Sequence, residues 1–125
     1  MRKLLLILIV GMLHANVEWI VSYEEAKQAK KPIFVYIAQY GCPACAYMDK
    51  TLEDQKIYNY LNKHFVSYKQ YLHKDNQLPS HLHASKTPTL HFLGSDGKKL
   101  IDSYSGGKGV ESFYDLLQDA KAAVK

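Results

Sequence analysis

Cysteine is scarce in this chain: Cys42 and Cys45 are the two cysteines among 125 residues. So few cannot form a disulfide framework, which leaves the pair a chemical role rather than an architectural one. Charge of one sign is lacking as well. Sixteen Lys and Arg stand against 12 Asp and Glu, a formal +4, and Arg2 and Lys3 account for two of that excess. Without them the balance falls to about +2, too little for the clustered basic face that neutralises phosphates, so nucleic acid is not an expected partner. The uncharged run Leu4 to Leu13 falls short of the roughly 20 apolar residues of a comfortable membrane span. A glycine-rich phosphate loop is also missing. Gly106-Gly107-Lys108-Gly109 lacks the preceding strand and the required spacing, so it reads as a flexible turn, and no bound organic cofactor is expected.

What is present is an ordinary globular composition, 47% hydrophobic and 22% charged. At roughly 100 to 200 residues per domain, the length leaves room for one compact unit. The basic start, the apolar run and the small residue Ala15 have the layout of a secretory signal. Residues 1–15 are therefore expected to be a signal peptide, or an uncleaved anchor because Leu13 is an imperfect residue ahead of the cleavage site. Residues 16–125 are expected to form the domain. No cysteine lies near residue 15, so lipid attachment there is not available.

Within the domain, Ser22-Tyr23-Glu24-Glu25 is a capping box that predicts a helix from Tyr23 to Lys30, ended by Lys31-Pro32. Ile33 to Ala38 is an unalternating β-branched and aromatic run, which suits a strand covered on both faces. Gly41 turns the chain into Cys42-Pro43-Ala44-Cys45, and proline at a first helical position starts a second helix. Its apolar side is expected to carry Ala46, Tyr47, Met48, Leu52, Ile57, Tyr60 and Leu61, with a kink near Glu53-Asp54. Phe65 to Tyr71 reads as a strand and Gln77 to His83 as a short helical piece. Thr89 to Leu93 is a third strand, which Gly94-Ser95-Asp96-Gly97 folds back so that Lys99 to Tyr104 returns antiparallel. Val110 to Val124 closes the chain as an amphipathic helix.

The order of these elements, the Cys-x-x-Cys directly after the first buried strand and the later Thr87-Pro88 resemble the thioredoxin superfamily, over essentially residues 17 to 123. Together with the signal segment and the Trp19 to Pro32 stretch, they are most similar to its exported bacterial members. The resemblance implies an α/β thioredoxin fold, a central mixed β-sheet with helices on both faces. It also implies thiol:disulfide oxidoreductase activity in the periplasm, with disulfides and dithiols of proteins as substrates and a membrane thiol reductase as electron donor. A monomer is expected.

On a helix, three residues of separation put two sulfurs on one face and close enough to bond reversibly. Cys42 at the amino-terminal edge meets free backbone amides and the positive end of the helix dipole, which favour a thiolate. A thiol of pKa about 8.5 is only a few per cent ionised at neutral pH, whereas one lowered by about two units, about 2.7 kcal/mol, is mostly thiolate. Cys42 is thus the expected nucleophile and Cys45 the resolving thiol, the two catalytic residues. The superfamily pattern further implies a cis Thr87-Pro88 bond with the Thr87 backbone facing the cysteines, so that Thr87 and Pro88, with Tyr40 and Pro43 beside the motif, form the substrate-binding set.

Other readings of the same residues stand beside this one. The pair could be half of a zinc site completed by His81-x-His83, although no second cysteine pair exists, and no metal is expected. A permanent structural disulfide would be a small stabiliser. A metal carrier, a peptide-binding module without turnover and a disulfide-donating oxidant are the functional rivals. The chain also departs from the family: the buried carboxylate six residues before the first cysteine is replaced by Tyr36, and Tyr40-Gly41 replaces the usual tryptophan segment. The proton of Cys45 is left to Tyr36, Tyr40, water or Glu53.

Overall fold

The computed structural model describes residues 15–73 and 76–125. The expected signal peptide therefore lies outside the described residues except for Ala15. Among the described residues no helix is long and apolar enough to cross a membrane.

Among the described residues, five strands and four α-helices follow one another as β1 (Trp19–Ile20), α1 (Tyr23–Gln28), β2 (Ile33–Ala38), α2 (Pro43–Leu52), α3 (Gln55–His64), β3 (Val66–Tyr71), β4 (Thr89–Leu93), β5 (Tyr104–Ser105) and α4 (Val110–Ala122), with a 3₁₀ turn at Ser80–Leu82. The sheet order is β1-β3-β2-β4-β5. β1 and β2 run parallel to β3, whereas β4 is antiparallel to both β2 and β5. The sheet is mixed, and helices cover both faces.

The unalternating run of β2 is explained by its central place: all six residues are buried. Phe34, Tyr36 and Ala38 face a core closed by α2, α3 and α4 through Met48, Leu52, Ile57, Leu61, Phe113 and Leu117. Ile33, Val35 and Ile37 face the opposite core, closed by Tyr23 and Ala26 of α1 and by Leu78 and Leu82. Because successive strand residues point to opposite faces, one strand serves two cores. Phe34 anchors the larger one, its ring 5.4 Å from that of Phe113 and 5.7 Å from that of Phe92.

Several expectations need correction. The kink near Glu53-Asp54 is a full break: Glu53 ends α2, and Asp54 starts α3 by accepting the Lys56 amide on its side chain at 2.9 Å. An aspartate outside a helix satisfies an amide that would otherwise lack a partner, so a new helix starts there. Ala46 and Tyr47 are exposed rather than on the apolar side, which Cys45, Met48 and Leu52 occupy at helical spacing. The return strand Lys99 to Tyr104 does not form as a whole. Leu93 pairs with Lys99 and Leu90 with Tyr104, so three steps along β4 face five along the return. Two surplus residues bulge out. Strand β1 was not expected, because two residues supported only by β3 carry no periodic signal.

Candidate active site

The site forms where β2 ends. Gly41 adopts φ +73°, a left-handed conformation that a residue with a Cβ rarely takes, and turns the chain from β2 into α2. Cys42 caps that helix: its Sγ accepts the Cys45 amide at 3.2 Å, and its carbonyl accepts the Ala46 amide at 3.1 Å. Pro43 stands exposed at the first helical position, where its missing N–H costs nothing. Cys42 and Cys45 are joined by a disulfide with their Cα atoms 5.2 Å apart. Cys42 is half-buried, and Cys45 is 3% exposed. Of the two residues, Cys42 is the more accessible.

Opposite Cys42 lies the turn before β4. Antiparallel pairing brings the end of β2 beside the start of β4, with Ile37 opposite Thr89. Thr87 thus faces the cysteines across the sheet: its carbonyl oxygen is 3.6 Å and its hydroxyl 3.5 Å from Cys42 Sγ. The hydroxyl also reaches Gln39 Oε1 at 3.1 Å. The Thr87-Pro88 bond is cis, and the Pro88 carbonyl accepts the Gly106 amide at 2.8 Å. Thr87 is half-exposed, whereas Pro88 is buried.

Two residues before Cys42, Tyr40 is 74% exposed and stacks face to face on Tyr71, ring centroids 4.3 Å apart. These residues belong to a groove of about 350 Å³ whose lining includes Cys42, Pro43, Cys45, Asp49 and Tyr71. The structure brings Cys42, Cys45, Tyr40 and Pro43 to this one groove; Thr87 and Pro88 are not in its lining, although Thr87 touches Cys42 Sγ.

Of the groups considered for the Cys45 proton, Tyr36 is the one below the site. It is fully buried, and its hydroxyl lies 2.7 Å from Asp49 Oδ1 and 3.1 Å from the Cys45 carbonyl oxygen. Burial pushes its phenol far above the ordinary tyrosine value, and the hydrogen bond and charge of Asp49 push the same way. Tyr36 therefore stays a proton donor to its neighbours. Glu53 ends α2 at the far end from the cysteines and does not line the groove. Asp49 was missed by the sequence reading, although its place four residues after Cys45 on the same helix was a usable signal.

The histidines considered as ligands lie elsewhere. His81 and His83 are both exposed, and His83 Nε2 is 2.9 Å from the Leu78 carbonyl. Among the described residues, no group of three or more His, Cys, Asp or Glu could hold a metal ion.

A family model of the thioredoxin-like domain matches residues 21–121. The chain belongs to the thioredoxin-like family. Among solved structures, it is similar to DsbH oxidoreductase with 20% identity and a TM-score of 0.69, over 90% of this chain and 89% of that one. A thioredoxin from Thermus thermophilus has 20% identity and a TM-score of 0.65, over 82% and 85% of the two chains. A thioredoxin-fold protein from Helicobacter pylori has 19% identity and a TM-score of 0.64, over 72% of this chain and 68% of that one. At these identities the likeness shows the fold. The chain is thus a thioredoxin-like protein carrying a Cys-x-x-Cys disulfide, an arrangement consistent with thiol:disulfide redox activity.

Proposed function

We propose that the protein is a thiol:disulfide oxidoreductase that reduces disulfides of exported proteins, with Cys42 as nucleophile and Cys45 as resolving thiol. The observation that carries this reading is the unequal setting of the two sulfurs. Cys42 is half-buried at a helix start, where its Sγ accepts the Cys45 amide, while Cys45 is buried one turn in. Amide donors and the helix dipole favour a thiolate at Cys42. That thiolate attacks a partner disulfide, forming a mixed disulfide and releasing one partner thiolate. Cys45 then attacks Cys42, which closes the Cys42–Cys45 bond and releases the second partner sulfur reduced.

Thr87, Pro88, Tyr40 and Pro43 are proposed to receive the substrate. An extended peptide laid beside Thr87 and Cys42 would meet main-chain hydrogen-bonding groups and the Tyr40–Tyr71 stack. The basic start and apolar run of residues 2–13 support export, and with it a periplasmic location. An exported reductant needs a supply of electrons, for which a membrane thiol reductase is the proposed donor, and the protein is proposed to act as a monomer.

The test is reduction of insulin by the full chain with dithiothreitol as electron source. The wild type is expected to accelerate precipitation of the insulin chains, Cys42→Ser to be inert and Cys45→Ser to accumulate the mixed disulfide. A wild type indistinguishable from Cys42→Ser would remove the enzymatic reading. Direction is tested by equilibration with glutathione: a potential near the thioredoxin value of about −270 mV supports a reductant, and one near about −120 mV makes the protein an oxidant.

A further inference from the structure

We infer that Asp49 is the proton acceptor for Cys45 and that Tyr36 is the positioning residue that holds its carboxylate in place. This deepens the oxidoreductase reading and rests on it. Cys45 has to lose a proton before it can attack, yet it is 3% exposed and has little access to solvent. A carboxylate one helical turn further on is on the same face of α2. Asp49 is half-buried and lines the same groove as Cys42 and Cys45.

Two observations distinguish Asp49 from a solvated surface acid. Among the described residues, its sole side-chain hydrogen-bond partner is the Tyr36 hydroxyl at 2.7 Å, from the centre of the sheet. The same hydroxyl is 3.1 Å from the Cys45 carbonyl, so one buried phenol ties the carboxylate to the backbone of the residue it would serve. Lys69 Nζ lies 5.4 Å from the Tyr36 ring and 5.0 Å from the Tyr71 ring, a cation on the side of the sheet that carries the carboxylate. Tyr40, Tyr71 and the two cysteines share the groove lining with Asp49, Tyr36 bonds it from β2, Lys69 stands over the Tyr36 and Tyr71 rings, and Glu53 follows one turn further along α2. Tyr36 is held protonated and donates to the carboxylate, which fixes where its oxygens lie.

The step balances without an added oxidant. In the mixed disulfide, the Cys45 thiol gives its proton to Asp49 as its sulfur attacks Cys42 Sγ. The Cys42–Cys45 bond forms, the bond from Cys42 to the partner sulfur breaks, and the partner leaves as a thiolate. Asp49 then gives the proton to that thiolate or to water and is ready again.

The experiment measures, from pH 5.5 to 9.5, the single-turnover rate at which reduced protein resolves its mixed disulfide with a cystine-containing peptide. Asp49→Asn keeps an acceptor for Tyr36 but cannot take a proton. It is expected to be about 100-fold slower than wild type near pH 6, the low end of general-base effects. The deficit is expected to shrink as rising pH ionises Cys45 without help. Asp49→Glu should regain most of the rate, and Tyr36→Phe should slow resolution less than Asp49→Asn while keeping the wild-type pH profile. An Asp49→Asn protein at the wild-type rate overturns the inference, as does one slowed by the same factor at every pH, which is the mark of a merely structural role. If an active wild type accompanies either result, the oxidoreductase reading survives and only the proton step falls. A wild type that forms no mixed disulfide overturns both.

Discussion

Replacing Thr87 by valine keeps the shape of the side chain and removes one hydroxyl 3.5 Å from Cys42 Sγ. If Cys42 works as a thiolate, that hydroxyl is a donor to the anion, next to the Cys45 amide at 3.2 Å. Hydrogen bonds to charged groups contribute about 1.5 to 3 kcal/mol. The low end applies here, because Cys42 is half-exposed and the single Thr87 hydroxyl proton is shared with Gln39 Oε1 at 3.1 Å. A loss of about 1.5 kcal/mol is a little over one tenfold step, at about 1.36 kcal/mol per step. Thr87→Val should therefore lower the thiolate fraction about tenfold wherever the thiol predominates. Gln39→Leu provides the opposite sign. It removes the competing acceptor, frees the proton for sulfur and should raise the thiolate fraction by a few-fold. The assay is the rate of iodoacetamide alkylation of Cys42 in reduced protein between pH 4 and 9, read beside the thiolate absorbance near 240 nm. Equal alkylation profiles for wild type and Thr87→Val would refute the role of the hydroxyl. A fall in both variants would show that the Gln39–Thr87 contact orients the loop instead of competing for the proton.

Three further outcomes concern stability. His91 is buried with Nε2 at 2.9 Å from the Leu82 carbonyl and Nδ1 at 2.6 Å from Ser103 Oγ. Burial, foremost, then Lys99 and His81 hold its pKa below the ordinary value, outweighing the Leu82 carbonyl. With the folded value depressed, the unfolded chain binds the proton first, so this contribution is complete above about pH 6.5 and is lost as pH falls below it. Urea midpoints at pH 7.5 and 5 should accordingly differ less in His91→Gln than in wild type, and an equal difference would remove His91 as a source of acid sensitivity. Ser67 Oγ is buried and has no hydrogen-bond partner among the described residues, so Ser67→Ala should stabilise the protein by about 1 kcal/mol in denaturant titration. A destabilised variant would show that the hydroxyl is satisfied in solution. Phe34→Ala, which empties the ring site shared with Phe92 and Phe113, should cost about 3 to 5 kcal/mol, and a loss below about 1 kcal/mol would mean that the core collapses to fill it.

What could be read from the sequence was what neighbouring residues determine. Ile33 to Ala38 was legible as a doubly covered strand because none of its six residues needs water, and the helix start at Pro43 because Cys42, Pro43 and the residues that follow all act locally. The break at Asp54 was half legible: the disturbance was visible, whereas its strength depends on one side chain accepting the Lys56 amide. The failures were tertiary. Trp19 and Ile20 form a strand only because β3 offers an open edge, and the bulged return to Tyr104 reflects a mismatch of register that turn chemistry does not encode. At the site, the cysteine pair announced itself by spacing, and Thr87 came only through the family resemblance. Asp49 stood at a helical interval from Cys45, but its bond to Tyr36 requires knowing that α2 lies on the Tyr36 face of β2.

The same register explains why residues 45 positions apart meet and which side chain stands beneath the start of α2. β2 runs toward the cysteines and β4 away from them, so whatever follows β2 and whatever precedes β4 must share one edge of the sheet. Cys42 and Thr87 occupy those two positions, and their approach is a consequence of strand order rather than of any affinity between them. Tyr36 is fixed in the same way, two residues before the end of β2 and directly beneath the first turns of α2. A carboxylate at that strand position would have to be buried among Trp19, Phe34 and the helices, where its charge is costly. A phenol bears the burial at lower cost and reaches up to a carboxylate on the helix, which is half-exposed. The charge thus sits on the wall of the groove rather than in the interior of the sheet.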